Sequence, residues 1–370
     1  MSTSEASTLS LARKNILRAA SICLSMITFL VYLNAFRDQP QVVYAGICWL
    51  VGRFTSTLAH ECGHAAAASY CNWRVLTFVV RPFGLQVPNR NLVYFKPKFS
   101  TTNVGWITTI PNNLAHGTRS NWALILVAGP AASLLLALVA FGGWATYLRD
   151  FDTGSVSVSR IGLGLSFQAL YGCVFSILPN SFSDTPSDGT RLRSLHASHT
   201  SFERDQPIVW LATLAINKVR LRDRPDWLID AARNVPGVTA EAAKFLDSHE
   251  IGVVLDAKYV DAKRARTLID QYRAKHGANP WLNACDAYLC AVWEADAQRA
   301  TATIVLPPSP DEVTPMFLAA EAAVAARSGQ TKTTMSKLRE MEKALRAASP
   351  FHDPTFTDIR SQIKAVLNSN

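Results

Sequence analysis

The stretch LAHECGHAAA, residues 58–67, sets His60, Glu61 and His64 inside a run of leucine and alanine. In a helix, residues four apart share a face, so His60 and His64 can present two imidazoles to one metal ion with Glu61 beside them. That pattern suits hydrolysis: a zinc ion lowers the pKa of a bound water, and the glutamate takes its proton during attack on a carbonyl. A polar turn on a water-facing helix would carry the same letters. The apolar surroundings favour the metal reading, because His and Glu are costly in a segment greasy enough for a bilayer and mark a cavity or a partner there.

Outward from the motif, the chain shows four long apolar segments. ILRAASICLSMITFLVYLNAF (16–36) is long enough to cross a bilayer as a helix. Arg13 and Lys14 before it, with Arg18 in its first turn, could also open a cleavable signal peptide, but its apolar part is too long for that role. The second segment begins VVYAGICWLVGRFTSTL (42–58) and runs into the motif. The third spans 121–148 and the fourth, IGLGLSFQALYGCVFSIL, spans 161–178. Basic residues cluster before the first segment, between the second and third, and after the fourth. The positive-inside rule therefore predicts a multi-pass protein of a cell inner or plasma membrane, with both termini cytoplasmic. His60 lies 18 residues after Val42, about 27 Å at helical rise, which puts it near the cytoplasmic edge.

Residues 72–120 read differently. RVLTFVVRPFGLQV (74–87) and NVGWITTI (103–110) are β-branched and aromatic runs punctuated by Pro, Gly and Asn, which predicts a small sheet at the membrane edge. From about residue 204 amphipathic helical patterns follow one another, broken at GANP, LPPSPDE and SPFHDP. They suggest antiparallel helix pairs, in the manner of a short solenoid, without a clean tetratricopeptide signature. The expected fold is mainly α: a polytopic membrane protein with about four transmembrane helices, a small membrane-edge β region and a C-terminal soluble helical domain. The expected divisions are an N-terminal cytoplasmic tail (1–15), a membrane-embedded metalloprotease domain (16–190) and a cytoplasmic helical domain (191–370).

A net charge of +9 over 370 residues raises the question of nucleic acid. No recognition motif accompanies it, and membrane topology already accounts for the basic clusters, so no nucleic-acid partner is expected. The seven cysteines include no C-x-x-C pair. They read as reduced thiols in apolar surroundings, with Cys285 and Cys290 on nearly opposite faces of one helix.

A catalytic zinc wants a third protein ligand and an open position for water. The fourth segment ends in CVFSILPNSFSDTPSDGTRL (173–192), and an AGP, Ala128 to Pro130, later in the chain than the histidine motif, opens an apolar helix within the third. H-E-x-x-H on an early membrane helix, that AGP, and an L-P followed by an acidic D-G together resemble the site-2 protease family of intramembrane zinc metalloproteases. The likeness covers residues 40–195. It implies a zinc metalloendopeptidase that hydrolyses peptide bonds of a membrane-associated protein near the cytoplasmic face. It further implies His60, His64 and Asp188 as zinc ligands and Glu61 as general base. Asp184 is the rival third ligand, but it lacks the glycine that follows Asp188 and allows a tight turn. The expected partners are a membrane protein substrate, the lipid bilayer, and a protein bound by the C-terminal helices.

One position departs from the family. Ser176 stands where an asparagine commonly helps hold substrate or the developing oxyanion, and Asn180 is nearby. This opens an alternative, a proteolytically inactive relative that acts as a membrane scaffold. Arg53, on nearly the same helix face as His60, reads either as a substrate-polarising cation or as a structural one. His116, His196, His199, His249, His276 and His352 have no ligand-like companions, and Cys62 points away from the metal face as a packing residue.

Overall fold

Val42–Tyr70 form one helix of 29 residues, α1. It is followed by strands β1 (Trp73–Val80), β2 (Phe83–Gln86), β3 (Asn91–Tyr94) and β4 (Gly105–Pro111), then helices α2 (Arg119–Gly143), α3 (Val158–Ile177) and α4 (Asp188–Ala197). These details come from a computed structural model, which describes residues 30, 42–87, 90–95, 105–145, 158–178, 186–197, 201–257, 259–304, 313–348 and 353–369. The chain divides into two units, 1–203 and 204–370.

In the first unit α1, α2 and α3 pack against one another, and α4 packs on α2 and α3. Thr118 starts α2 by accepting from Asn121 N. The buried stripe of α2 is Ile125, Gly129, Ser133 and Ala137, one residue per turn. Its outer face carries Leu135, Leu138, Val139 and Phe141, all exposed. Small residues inside and large apolar ones outside let helix backbones approach closely while the outer face stays greasy. Buried hydroxyls join the helices through backbone carbonyls: Ser166 Oγ donates to Ala137 O at 2.9 Å, and Ser56 Oγ to Gln168 O at 3.3 Å.

Among the described residues, α2 is the one helix long and apolar enough to cross a membrane. Segment 16–36 lies outside the described residues, apart from residue 30. The second expected span is helical but carries Arg53, His60, Glu61 and His64, which lower its hydropathy. The fourth is helical over 158–177, with an apolar part, Gly162–Ile177, that is short for a span.

The four strands form one antiparallel sheet in the order β3-β2-β1-β4. The two strand-like runs supply β1, β2 and β4, while β3 was not legible as a strand. Trp73 ties the sheet to the helices. It stacks on Trp122 at 5.1 Å, and its Nε1 donates to His116 O at 2.8 Å.

The second unit is helical: α5 (Ser201–Ile216), α6 (Asp226–Arg233), α7 (Ala240–Leu255), α8 (Ala262–His276), α9 (Pro280–Val292), α10 (Ala297–Thr303), α11 (Pro315–Arg327), α12 (Thr331–Ala348) and α13 (Pro354–Asn368). α9 sits between two cores. Leu282, Cys285 and Leu289 pack toward α7 and α8, whereas Ala284, Ala287, Cys290 and Ala291 pack toward α11 to α13. Cys285 and Cys290 thus occupy opposite faces and are free thiols, as their spacing predicts. Asp286 is buried on α9 with Arg273 Nη2 at 2.6 Å from one carboxylate oxygen and Arg266 on the other.

This unit differs from an open solenoid because its ends meet. Arg220, just after α5, pairs with Asp256 at the end of α7 at 3.1 Å and with Asp358 in α13. Lys218 Nζ lies 3.6 Å from Asp353.

Candidate metal centre

His60 and His64 stand one turn apart on α1 and face the buried stripe of α2. His64 Nδ1 donates to Ile125 O at 2.6 Å, and His60 Nδ1 lies 3.0 Å from Ser133 Oγ. The helices run antiparallel, so each turn of one meets a turn of the other. Both Nε2 atoms then turn inward, 3.1 Å from each other. Asp188 Oδ2 lies 3.1 Å from His60 Nε2 and 3.3 Å from His64 Nε2. The three residues that the sequence pairs as ligands therefore come together although Asp188 follows His60 by 128 positions.

Glycines permit this convergence. A Cβ on Gly129 would lie 2.3 Å from His64 Nε2, so the imidazole occupies the space where any other residue would place its side chain. A Cβ on Gly63 would meet Ala128 O at 2.4 Å, and one on Gly189 would meet Ile177 O at 1.7 Å. The reason for glycine after Asp188 thus differs from the expected one. Gly189 lies within α4, and what it permits is close approach of that helix to the end of α3. Ser187 completes the anchor, accepting from Thr190 N at 3.2 Å and donating to Leu178 O at 2.9 Å. Asp188 is thereby held at the first turn of α4, aimed back at the histidines.

The donor set fits a divalent metal ion. His64 Nδ1 carries its proton toward a carbonyl, which leaves a lone pair on Nε2 facing the other ring and a carboxylate oxygen. Such a convergence of donor atoms is one that a divalent metal ion satisfies. The observed donor separations also approach the edge of about 3.3 Å expected for a tetrahedron with metal–ligand bonds of about 2.0–2.1 Å. Asp188 Oδ2 is the third donor atom of the set.

Glu61 is buried beside this cluster and lies against β4. A Cβ on Gly105 would sit 2.8 Å from Glu61 Oε1 and 2.6 Å from Thr57 Cγ2, so the strand backbone approaches the carboxylate as only glycine allows. Arg191, one turn after Asp188 on α4, is near enough for its charge to act on Glu61.

Several residues escaped the sequence reading: Ser133, Gly105, Gly63 and Arg191. The small-residue spacing of Gly129, Ser133 and Ala137 was the available signal, since it marks a helix face approached closely by a neighbour. Asp184, Asn180, His199 and His352 lie outside the described residues. Ser176 Oγ donates to Cys173 O at 3.0 Å, within its own helix. Arg53 is exposed, and its carbonyl accepts from Thr57 Oγ1 at 2.9 Å. Cys62 is exposed where packing was expected. His276 pairs with Asp247 at 2.7 Å, while His249 is buried with no partner for Nε2 among the described residues.

No curated protein and no solved structure matches the chain. The family model described as Peptidase family M50 matches residues 49–354, which include α1 from Trp49 onward with both histidines, the AGP of α2, and Asp188. The chain belongs to that family of peptidases, the site-2 protease family.

Proposed function

We propose that this protein is a multi-pass intramembrane zinc metalloendopeptidase that cleaves a membrane-associated protein near the cytoplasmic face. The convergence of His60 Nε2, His64 Nε2 and Asp188 Oδ2 beside the buried Glu61 carries this reading. His60, His64 and Asp188 would hold the ion, which when bound would supply a Lewis acid and acidify water. Glu61 would take a proton from the attacking water and return it to the leaving amine. Its burial against β4 keeps competing bulk water away from the carboxylate.

A peptide bond inside a membrane helix is shielded by its own hydrogen bonds, so the substrate must unwind before cleavage. The sheet supports this step. Among the described residues β4 is an edge strand whose first residue lies against the general base, and an unwound segment added to it would be led toward Glu61. The basic clusters and the outward apolar face of α2 support the membrane location, with residues 16–190 forming the embedded domain and 191–370 a cytoplasmic domain that binds a protein partner.

Metal analysis of the detergent-purified protein tests this. Zinc near one equivalent in wild type, lost in His60→Ala and in Asp188→Ala, is the expected result. Zinc absent from folded wild type overturns the protease reading. The hydroxyl of Ser176, engaged within α3, favours the scaffold alternative. Glu61→Gln separates the two: a peptidase loses its cleavage product about 10²–10⁴-fold and keeps its zinc, whereas a scaffold keeps full cellular function.

A further inference from the structure

We infer that Ser133 is the positioning residue for His60, setting the tautomer and ring plane in which Nε2 addresses the metal. This rests on the reading of His60, His64 and Asp188 as a metal centre.

The two histidines are held in chemically different ways. Ile125 O can only accept, so the bond at 2.6 Å fixes the His64 proton on Nδ1. Ser133 Oγ, 3.0 Å from His60 Nδ1, can accept or donate. If it accepts, the proton sits on Nδ1 and the Nε2 lone pair faces the cluster. If it donates, the proton moves to Nε2 and points at His64 Nε2, 3.1 Å away, closing the site. Ser133 is fully buried, so no solvent competes for the bond. The stripe Ile125, Gly129, Ser133 on α2 is thus an alignment edge for both rings: a carbonyl for one, a bare backbone beneath it, and a hydroxyl for the other. Groups that orient ligating histidines typically change metal affinity 10–100-fold when removed.

The test is zinc affinity of the whole purified protein, measured by competition with a chelator of known strength, for wild type, Ser133→Ala and Ser133→Thr. Thermal unfolding of each zinc-stripped protein is recorded in parallel. Ser133→Ala is expected to bind zinc about 10–100-fold more weakly with its zinc-free unfolding temperature unchanged, and Ser133→Thr to recover most of the loss. Unchanged affinity in Ser133→Ala overturns the inference while leaving the metal centre standing. So does equal weakening in Ala and Thr, or a loss that tracks the zinc-free stability, because each makes Ser133 a packing residue. Failure of wild type to bind zinc at all overturns the metal-centre reading instead.

Discussion

Gly129 does a task that no side chain can share. The imidazole of His64 rests where its Cβ would be, at 2.3 Å from Nε2, so even one methyl group must displace the ligand or separate α1 from α2. Gly129→Ala is therefore expected to lower zinc affinity at least about tenfold, the lower end for a disturbed ligand shell, with helix content by circular dichroism preserved. The ligands His60, His64 and Asp188 were legible because metal chemistry restricts residue type and helix geometry restricts spacing. Ser133 and Gly105 were not, since a hydroxyl or a missing side chain acquires its meaning only from what another element places against it.

The edge strand and the helices show the same division. β1, β2 and β4 could be read from β-branched and aromatic runs, whereas β3, four residues long with Leu92 and Tyr94 exposed, has no core face to impose a pattern. β4 matters most, because its backbone reaches Glu61. Gly105→Ala is expected to reduce peptide cleavage at least about tenfold, a cost typical of a small misplacement near reacting groups, with metal content unchanged. Loss of zinc in that variant would show instead that β4 supports the ligands.

On α7, burial first, and then the charges of Arg224 and Arg233, push the His249 imidazole down to about 3. The unfolded chain takes up that proton near pH 6.5. Stability therefore falls as pH drops from about 6.5 toward 3, by at most about 1.4 kcal/mol per pH unit. Chemical unfolding of wild type and His249→Gln between pH 7 and 5 should show the decline in the former and a flatter profile in the latter. That window lies above the range where ordinary carboxylates titrate, and the difference between the two profiles separates His249 from the other histidines.

Across the whole molecule, the sequence distinguished a greasy first half from a charged, alanine-rich second half, and the structure divides the chain at 203/204. Topology belongs to this scale. Reporter fusions at residue 370 and in the 146–157 segment are expected to report opposite sides of the membrane, with 370 cytoplasmic; the same side for both would remove the four-span arrangement. What the sequence did not disclose is that the second unit closes on itself. Ion pairs between residues 138 positions apart, such as Arg220 and Asp358, leave no periodic trace.

That closure has a mechanical side. The contacts of Lys218 and Arg220 with Asp353 and Asp358 join the start of the second unit to its final helix. A pull applied between residues 204 and 370 would load these charged contacts together with the packing of Ile359, Ile363 and Val366 in the core. The unit would bear tension as a latched hook rather than lengthen like a spring.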